Sequence, residues 1–284
     1  MFNQSIIVEK SNLCANIGAN IGANIGTQSN PDDYNFNYLI IFLHLVAIFR
    51  YPIYNFLRPY LPPIKKSIIS IQGNIGVGKS TFVEILRKNF DSTVVGEPVD
   101  TWLQLKDDAG VNILEKFYSD MPRWGYSFQN VAYLSRMMLI EEAIRSSSSE
   151  HIFLDRSLET DKFIFEKMLR DKNIISSLEH VMYNSWCNFY EKYVRPSFKE
   201  KIIYLRSDPN ICYQRIMKRG RVEEKNITKE YLDDLHTYHE DWLGSTLTSS
   251  SSSDDILVID CDRDFETDLT YQREIIEMVR SYIE

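Results

Sequence analysis

The chain has 284 residues, of which 44% are hydrophobic and 25% are charged, the composition of an ordinary soluble globular protein. Its formal net charge of −8 argues against a general nucleic-acid binder, because phosphate backbones require a basic surface. The four cysteines are scattered and include no CxxC pair, so they indicate neither a zinc site nor a disulfide framework.

The first 64 residues differ from the rest of the chain. Residues 15–26 form a short tandem repeat, ANIGANIGANIG, which cannot build a core and predicts disorder. The apolar stretch Tyr38–Phe49 is shorter than the ~20 residues that a bilayer-spanning helix needs. For residues 38–57 the alternatives are a membrane-associating or organelle-targeting segment and, the interpretation we favour, an extra helix packed on the domain. We predict an extension over residues 1–64 and a catalytic domain over residues 65–284, located in the cytoplasm or, as the alternative, in mitochondria.

From residue 65 onward, short apolar runs alternate with helical patterns. Strands are predicted at Ser67–Gln72, Thr93–Gly96, His151–Asp155, Lys201–Leu205 and Ile256–Asp260. Longer segments with helical spacing of apolar residues include Ser80–Asn89, Tyr126–Arg145, Ser176–Tyr193, Pro209–Lys218 and Thr228–Leu243. This alternation predicts an α/β fold, with a five-stranded parallel sheet flanked by helices on both faces.

A phosphate-binding pattern follows the first predicted strand. Residues 73–80 read GNIGVGKS and match G-x-x-x-x-G-K-[ST]. Glycines let the backbone aim several N–H groups at phosphate oxygens, and the next helix adds the positive end of its dipole. Lys79 is expected to reach the β- and γ-phosphates, and the Ser80 hydroxyl to ligate Mg²⁺. We predict ATP binding by nine consecutive residues: Gly73, Asn74, Ile75, Gly76, Val77, Gly78, Lys79, Ser80 and Thr81.

Three further clusters decide which reaction such a loop serves. Glu97-Pro98 closes the second predicted strand, and Asp155-Arg156-Ser157 closes the third. Residues 215–224, RIMKRGRVEE, lie between two predicted helices. Because ligands of an open α/β sheet bind at the carboxyl ends of its strands, the first two clusters are expected to converge on the phosphates.

Seven ordered stretches between residues 67 and 284 resemble the deoxycytidine/deoxyguanosine kinase type of the deoxynucleoside kinase family. They are ISIQGNIGVGKST, EPVDTW, FY…RWGYSFQNVAYLSR, DRSLETDKFIF, RIMKRGRVEE, YLDDLHTYHEDWL and DCDRDF. The resemblance implies a P-loop kinase fold with an arginine-rich lid, ATP as phosphate donor with Mg²⁺, and a deoxynucleoside acceptor in nucleotide salvage. It also implies a homodimer, and it does not extend to the first 64 residues.

On the phosphate side, the resemblance implies a role for each matching residue. Glu97 matches the general base that takes the proton from the sugar 5′-hydroxyl, and Arg156 matches the arginine that stabilises charge on the transferred group. Asp155 matches a carboxylate on the magnesium side, where the deoxycytidine-type enzymes usually carry Glu. Because Asp is one methylene shorter, contact with the metal through water is expected. The lid that closes over ATP is matched by Arg215, Arg219 and Arg221. The loop that holds the adenine of ATP is matched by Asp262, Asp264 and Phe265.

On the nucleoside side, the resemblance implies contacts to the sugar and to the faces of the base. Tyr118 and Glu224 match the pair that holds the sugar 3′-hydroxyl. Trp102, Phe128 and Phe165 match apolar walls, and the two phenylalanines would sandwich the base. Aromatic residues in helices are more often core than ligand walls, so these three alone would prove nothing.

The base itself is addressed by Gln129, Arg136 and Asp161. In the family, the glutamine makes paired amide hydrogen bonds to the base edge, and the other two form a charged pair that thymidine-preferring relatives lack. Such a pair leaves little space for a thymine methyl and would be poorly satisfied by it. We therefore predict deoxyguanosine, deoxyadenosine or deoxycytidine as substrate rather than thymidine. Ala132 matches the deoxycytidine type but does not decide between purine and cytosine.

Two other functions are open at this point. A nucleoside monophosphate kinase, such as a thymidylate kinase, shares the loop and the lid but needs additional cations for the acceptor phosphate. A non-catalytic structural subunit on the same fold would have lost phosphate-loop or base residues, whereas Lys79, Ser80, Glu97 and Arg156 are all present.

Overall fold

The computed structural model describes residues 66–193, 200–244 and 256–284. The tandem repeat at residues 15–26 and the apolar stretch Tyr38–Phe49 lie outside the described residues. The predictions made for the first 64 residues, including the domain boundary, therefore remain predictions.

Five strands form one parallel sheet in the order β2-β3-β1-β4-β5. Their bounds are β1 Ser67–Gly73, β2 Ser92–Val95, β3 His151–Asp155, β4 Glu200–Arg206 and β5 Ile256–Asp260. Each agrees with the sequence prediction to within one residue at either end. The predicted α/β class with a five-stranded parallel sheet is confirmed.

Nine segments that are wholly or partly α-helical accompany the sheet in the described part of the chain, and a short 3₁₀ helix, Val222–Glu224, lies between the last two helices before β5. The nine segments are α1 Lys79–Asn89, α2 Val99–Gln104, α3 Ile113–Ser119, α4 Met121–Ser146, α5 Leu158–Asp171, α6 Ser177–Tyr193, α7 Pro209–Arg219, α8 Lys229–His239 and α9 Leu269–Ile283. A π-helical segment, Asp161–Glu166, forms the middle of α5, and another, Glu240–Gly244, extends α8. Helices α2, α3, α5 and α9 are additional to those predicted. The first two are shorter than two and a half turns, and the π-helical turn in α5 disrupts the 3.6-residue period on which sequence patterns depend.

Helix α4 begins five residues earlier than predicted. Asp120 caps it by accepting a hydrogen bond from the Arg123 backbone N–H at 3.2 Å, and Pro122 stands in the first turn. Gly125 is a weak helix former inside this turn. Its role is steric, because a Cβ there would lie only 3.1 Å from Cγ2 of Ile174, a residue just beyond α5.

The central strand β1 is buried on both faces of the sheet. Ile69 and Ile71 pack into one apolar cluster with Phe82 of α1, while Ile68 packs into another with Tyr133 of α4. Its neighbours on either side are β3 and β4. The phosphate-binding loop therefore leaves the middle of the sheet, with the ends of β2 and β3 to one side, at the point where ligands of such sheets bind.

Candidate active site

A cavity of about 1220 Å³ opens at the carboxyl ends of the strands. Pockets for a single ligand usually measure ~300–1,000 Å³, so this cavity has room for two. Every site residue predicted from the sequence lines it except Gly73, Asn74 and Asp262. The fold thus brings together side chains from the β-strand ends, from α1 to α5, from α7 and the segment after it, and from α8.

Glycines shape the phosphate-binding loop. Gly76 has a φ of +81° and Gly78 a φ of +109°, a region that favours glycine. An added Cβ would lie 2.5 Å from the Cys212 carbonyl oxygen at Gly76 and 3.0 Å from Cζ of Phe265 at Gly78. No side chain caps the start of α1, so the N–H groups of its first turn are available to an anion.

The Lys79 amine lies in the floor of this loop. Its Nζ donates to the carbonyl oxygens of Gly73 at 3.1 Å and Asn74 at 2.8 Å. Burial and the nearby Arg156 guanidinium lower the pKa of Lys79 from 10.5 to about 7, against the opposing pull of two carboxylates. A bound polyphosphate would favour the charged amine and raise this pKa again.

Glu97, just after β2, is held by two arginines. Its Oε1 accepts from Arg156 Nη1 at 2.6 Å and from Arg136 Nη2 at 3.1 Å. Burial raises the pKa of Glu97, but the Arg156 and Arg136 guanidinium groups outweigh it and lower the pKa to about 2. Glu97 is therefore an ionised carboxylate at neutral pH, able to accept a proton and unable to donate one.

Arg156 links this carboxylate to the phosphate-binding loop. Besides binding Glu97, its Nη2 donates to the Gly73 carbonyl oxygen at 3.4 Å, and its guanidinium lies 5.2 Å from the centre of the Phe165 ring. The residue has a φ of +66°, a left-handed conformation that costs ~1–3 kcal/mol outside glycine. Its backbone N–H donates to the Ile71 carbonyl oxygen at 3.1 Å. The surrounding contacts thus hold a strained backbone at the centre of the cavity.

Asp155 and Ser80 fit a magnesium ion beside the phosphates. Within the described residues, the buried Oδ1 of Asp155 has no hydrogen-bond partner, and Ser80 lines the same cavity at the start of α1. Burial raises the pKa of Asp155, with Lys79 opposing, and a nearby cation would favour the carboxylate. In the part of the chain that the structure describes, no group of three or more His, Cys, Asp or Glu side chains could hold a metal. An ion here would take most ligands from phosphate and water, as Mg²⁺ commonly does.

Three buried polar side chains line the part of the cavity that is predicted to hold the nucleoside. Arg136 donates to both carboxylate oxygens of Asp161, at 2.9 and 3.3 Å, and to the Asp155 carbonyl oxygen at 2.7 Å. Burial raises the pKa of Asp161, with Arg136 opposing. Gln129 is 1% exposed, and its Oε1 has no hydrogen-bond partner among the described residues. An amide buried in this way and lining a cavity is suited to a ligand edge that bears a donor.

Aromatic rings form the wall next to Gln129. Trp102 meets Phe128 edge-on at 5.1 Å, and its Nε1 donates to the Ser135 hydroxyl at 3.0 Å. Phe117 stacks on Phe128 with the ring centres 4.6 Å apart. One face of Phe128 is therefore occupied by Phe117.

Helix α7 and the segment that follows it bring the predicted lid arginines to the cavity. Arg219 donates to both carboxylate oxygens of Glu224, at 2.7 and 2.6 Å, and Arg221 lies 3.5 Å from the same group. Arg215 instead donates to the carbonyl oxygens of Val77 at 3.1 Å and Cys261 at 2.9 Å. It joins the phosphate-binding loop to the end of β5.

Asp262 does not line the cavity, in contrast to the prediction, and its carboxylate instead makes hydrogen bonds within the protein. Its Oδ1 accepts from the Ser207 hydroxyl and the Asp208 backbone N–H, both at 2.9 Å. These bonds connect the ends of β4 and β5. The neighbouring Asp264 and Phe265 do line the cavity, so the predicted adenine loop reaches it through these two residues.

The comparisons with known proteins agree with this geometry. A family model described as deoxynucleoside kinase matches residues 69–284. The chain belongs to the deoxynucleoside kinase family. It is 35% identical over 215 residues to a probable deoxycytidine kinase of Fowlpox virus (strain NVSL), covering 76% of this chain and 87% of the relative. It is 34% identical over 237 residues to deoxycytidine kinase 2 of Gallus gallus and 30% identical over 236 residues to the mitochondrial deoxyguanosine kinase of Xenopus laevis, in each case covering 76% of this chain and 89% of the relative.

The family resemblance, the P-loop kinase fold and ATP-dependent kinase activity are thereby confirmed. The alternative of a nucleoside monophosphate kinase is not favoured by these relatives. Among the described residues of this deoxynucleoside kinase, no helix has the length and apolarity needed to cross a membrane.

Some residues of the kinase cavity were missed by sequence reasoning. Tyr231 of α8 lines it, and its buried hydroxyl has no hydrogen-bond partner among the described residues. Phe117 lines it beside Tyr118, and Lys218 and Arg87 add cations. An aromatic residue at core spacing in a helix carries no local signal of a ligand, so only the position of Tyr231 beside Tyr118, at 6.3 Å between ring centres, reveals it.

Proposed function

We propose that this kinase transfers the γ-phosphate of ATP to the 5′-hydroxyl of a deoxynucleoside, with Glu97 as the general base. One observation supports this above the others: Arg156 contacts both Glu97 and the first residue of the phosphate-binding loop. A hydroxyl that donates to Glu97 would therefore lie beside the phosphates of a nucleotide held by Lys79. This is the juxtaposition that in-line transfer requires.

The chemistry divides among the cavity side chains. The 5′-oxygen forms a bond to the γ-phosphorus, the bond from that phosphorus to the bridging oxygen breaks, and ADP leaves with the bond electrons. The hydroxyl proton goes to Glu97. Lys79 and the lid arginines Arg215, Arg219 and Arg221 balance charge on the phosphates. Ser80 and Asp155 would hold Mg²⁺, which neutralises phosphate charge when bound.

The nucleoside is held, on this proposal, by Tyr118 and Glu224 at the sugar and by Gln129, Arg136 and Asp161 at the base. On this proposal the buried Arg136–Asp161 pair stands beside the base, where charged groups would leave little space for a thymine methyl and would be poorly satisfied by it. The Gln129 Oε1 has no hydrogen-bond partner among the described residues, and the Asp161 carboxylate keeps lone pairs beyond those that bind Arg136, so both can accept from an exocyclic amine. We therefore propose deoxycytidine, deoxyguanosine or deoxyadenosine as acceptor, each of which carries such an amine.

The experiment is a phosphorylation panel of the four natural deoxynucleosides with ATP and Mg²⁺, run beside the corresponding monophosphates. We expect turnover with the three amine-bearing nucleosides and little with thymidine. Glu97→Ala should retain ATP binding and lose kcat by ~10²–10⁴-fold, whereas Glu84→Ala, an exposed carboxylate at the same cavity, should retain it. Preferred phosphorylation of monophosphates, or unchanged kcat in Glu97→Ala, would overturn the proposal.

We further propose a homodimer formed through α4 and α6. These helices pack together through Tyr133 and Tyr183, with 5.7 Å between ring centres. They also carry large apolar side chains at the surface, including Met138 at 48%, Leu178 at 68% and Val181 at 59% exposure. Size-exclusion chromatography with light scattering should give twice the 33.4 kDa chain mass, and Leu178→Glu together with Val181→Glu should give the monomer.

For location, we propose the cytoplasm, with mitochondria as the alternative. The buried free thiols of Cys187, Cys212 and Cys261 support a reducing compartment, which both places provide. Imaging of the full chain fused at its C-terminus to a fluorescent protein distinguishes the two, and secretion of the fusion would contradict both.

A further inference from the structure

The π-helical segment Asp161–Glu166 of α5 has two chemically different sides. Asp161 and Phe165 line the active-site cavity. Glu166, the next residue after Phe165, lies outside that cavity and lines a second one of about 460 Å³ between α5 and α6. Glu166 is nevertheless only 1% exposed, and a buried carboxylate of this kind needs a partner.

His180 of α6 supplies that partner. Its Nδ1 lies 2.8 Å from Oε1 of Glu166, and because a carboxylate can only accept, we assign the proton to Nδ1. Asn184, one turn further along α6, donates to the His180 backbone oxygen at 3.0 Å and lies 3.1 Å from each ring nitrogen. The imidazole is thus oriented from its own helix before it reaches α5.

This bond crosses from α6 to the part of α5 whose geometry is least regular. π-Helical turns are rare, appear mostly as single turns inside α-helices, and are frequent at functional sites. Losing the bond would leave the Glu166 carboxylate buried and unpaired, so the side chain would have to turn toward solvent. Such a turn moves the backbone adjacent to Phe165, and with it the ring on which the Arg156 guanidinium rests at 5.2 Å.

We infer that Glu166 and His180 are positioning residues that fix the π-helical turn and thereby place Phe165 and Asp161 against the nucleoside. The inference rests on the proposed function, because it takes these two side chains to be nucleoside contacts. ATP binding depends on the loop around Lys79, which this pair does not touch. Loss of the Glu166–His180 hydrogen bond should therefore raise the KM for the nucleoside and leave the KM for ATP unchanged.

The test compares the KM for nucleoside with the KM for ATP in three variants. Glu166→Ala should raise the nucleoside KM about tenfold, equivalent to about 1.4 kcal/mol, and leave the ATP KM unchanged. Glu166→Gln should restore the nucleoside KM to within about threefold, because its amide oxygen accepts from the same Nδ1. His180→Ala should behave like Glu166→Ala, and the double variant should be no worse than either, since both remove one bond.

A matched control is Tyr190→Phe, which removes the 2.9 Å hydrogen bond from α6 to Glu141 of α4 and should leave both KM values unchanged. Phe165→Ala tests the underlying assignment by itself. An unchanged nucleoside KM in Phe165→Ala would refute the proposed site. If Phe165→Ala raises the nucleoside KM but Glu166→Ala does not, the positioning role is refuted and the proposed nucleoside site stands. A lowered Tm with both KM values unchanged, or raised equally, would also reduce the pair to a purely structural bond.

Discussion

The low pKa of the Lys79 amine has a measurable consequence for ATP binding. Burial and Arg156 lower this pKa to about 7, so above pH 7 most of the ligand-free enzyme carries a neutral amine. A triphosphate stabilises the charged form and returns the pKa toward its ordinary range. The enzyme must then take up a proton as ATP binds. ATP affinity should accordingly fall as the pH rises above 7.

The size of this uptake follows from the titration of one group. With a pKa of about 7, about a tenth of the amine is charged at pH 8, so binding should take up about 0.9 proton there and about 0.5 at pH 7. Above pH 7 the apparent ATP affinity should drop about tenfold per pH unit until the pKa of the complex is approached.

Isothermal titration calorimetry measures the uptake directly. A magnesium complex of a non-hydrolysable ATP analogue is titrated at pH 8 in two buffers of different ionisation enthalpy. The difference in observed heat gives the number of protons. Lys79→Met should abolish the uptake at saturating ligand, while Lys218→Met, which removes an exposed cation from the same cavity, should not. No uptake by the unsubstituted enzyme, or undiminished uptake by Lys79→Met, would refute the reasoning.

Three further predictions concern the residues around this amine. Gly76→Ala should lower Tm and ATP affinity more than Gly110→Ala, since both have a positive φ but only the first places a Cβ 2.5 Å from a backbone oxygen; equal losses in thermal melts would contradict the clash. Asp161→Ala should destabilise by ~1–3 kcal/mol, because the buried Arg136 loses two of its hydrogen bonds and keeps those to Glu97 and the Asp155 carbonyl oxygen. Adding Arg136→Met should recover part of the lost unfolding free energy, measured by urea unfolding, and raise the thymidine-to-deoxycytidine ratio of kcat/KM. An unchanged ratio would show that the Arg136–Asp161 pair does not select the base. The folded pKa of Glu97, about 2, is below its ordinary 4.5, so its ionisation contributes stability above pH 4.5 that is lost as the pH falls toward 2. The deficit of Glu97→Gln in unfolding free energy, on the order of 3 kcal/mol at pH 7, should shrink over that range, and a constant deficit would contradict the salt bridges.

Local patterns in the sequence were sufficient for the fold class and the phosphate-binding loop, and the family resemblance indicated most of the remaining cavity lining. The five strands are short apolar runs whose bounds depend on neighbouring residues, and the phosphate-binding loop is a continuous motif. Glu97 and Asp155 could be placed in one site because each stands at the carboxyl end of a strand, and parallel strands end at one edge of the sheet. These inferences needed no knowledge of distant contacts.

The tertiary structure decided what each of these side chains touches. Arg219 could have faced phosphate or carboxylate, and its bidentate bond to Glu224 depends on how the chain turns after α7. Tyr231 and Phe117 join the cavity, and Asp262 is drawn away from it, through contacts with residues distant in the chain. Helical spacing alone gives such residues no ligand signature.

The charge states were equally beyond the sequence. The pKa values of Lys79 and Glu97 move in ways set by burial and by Arg136 and Arg156, which are 39 to 77 positions away along the chain. The sequence by itself determined which chemical groups are available and at which strand ends they stand. Only the folded chain fixed their partners and their protonation, because desolvation and Coulomb interactions depend on distances in space, which local spacing does not contain.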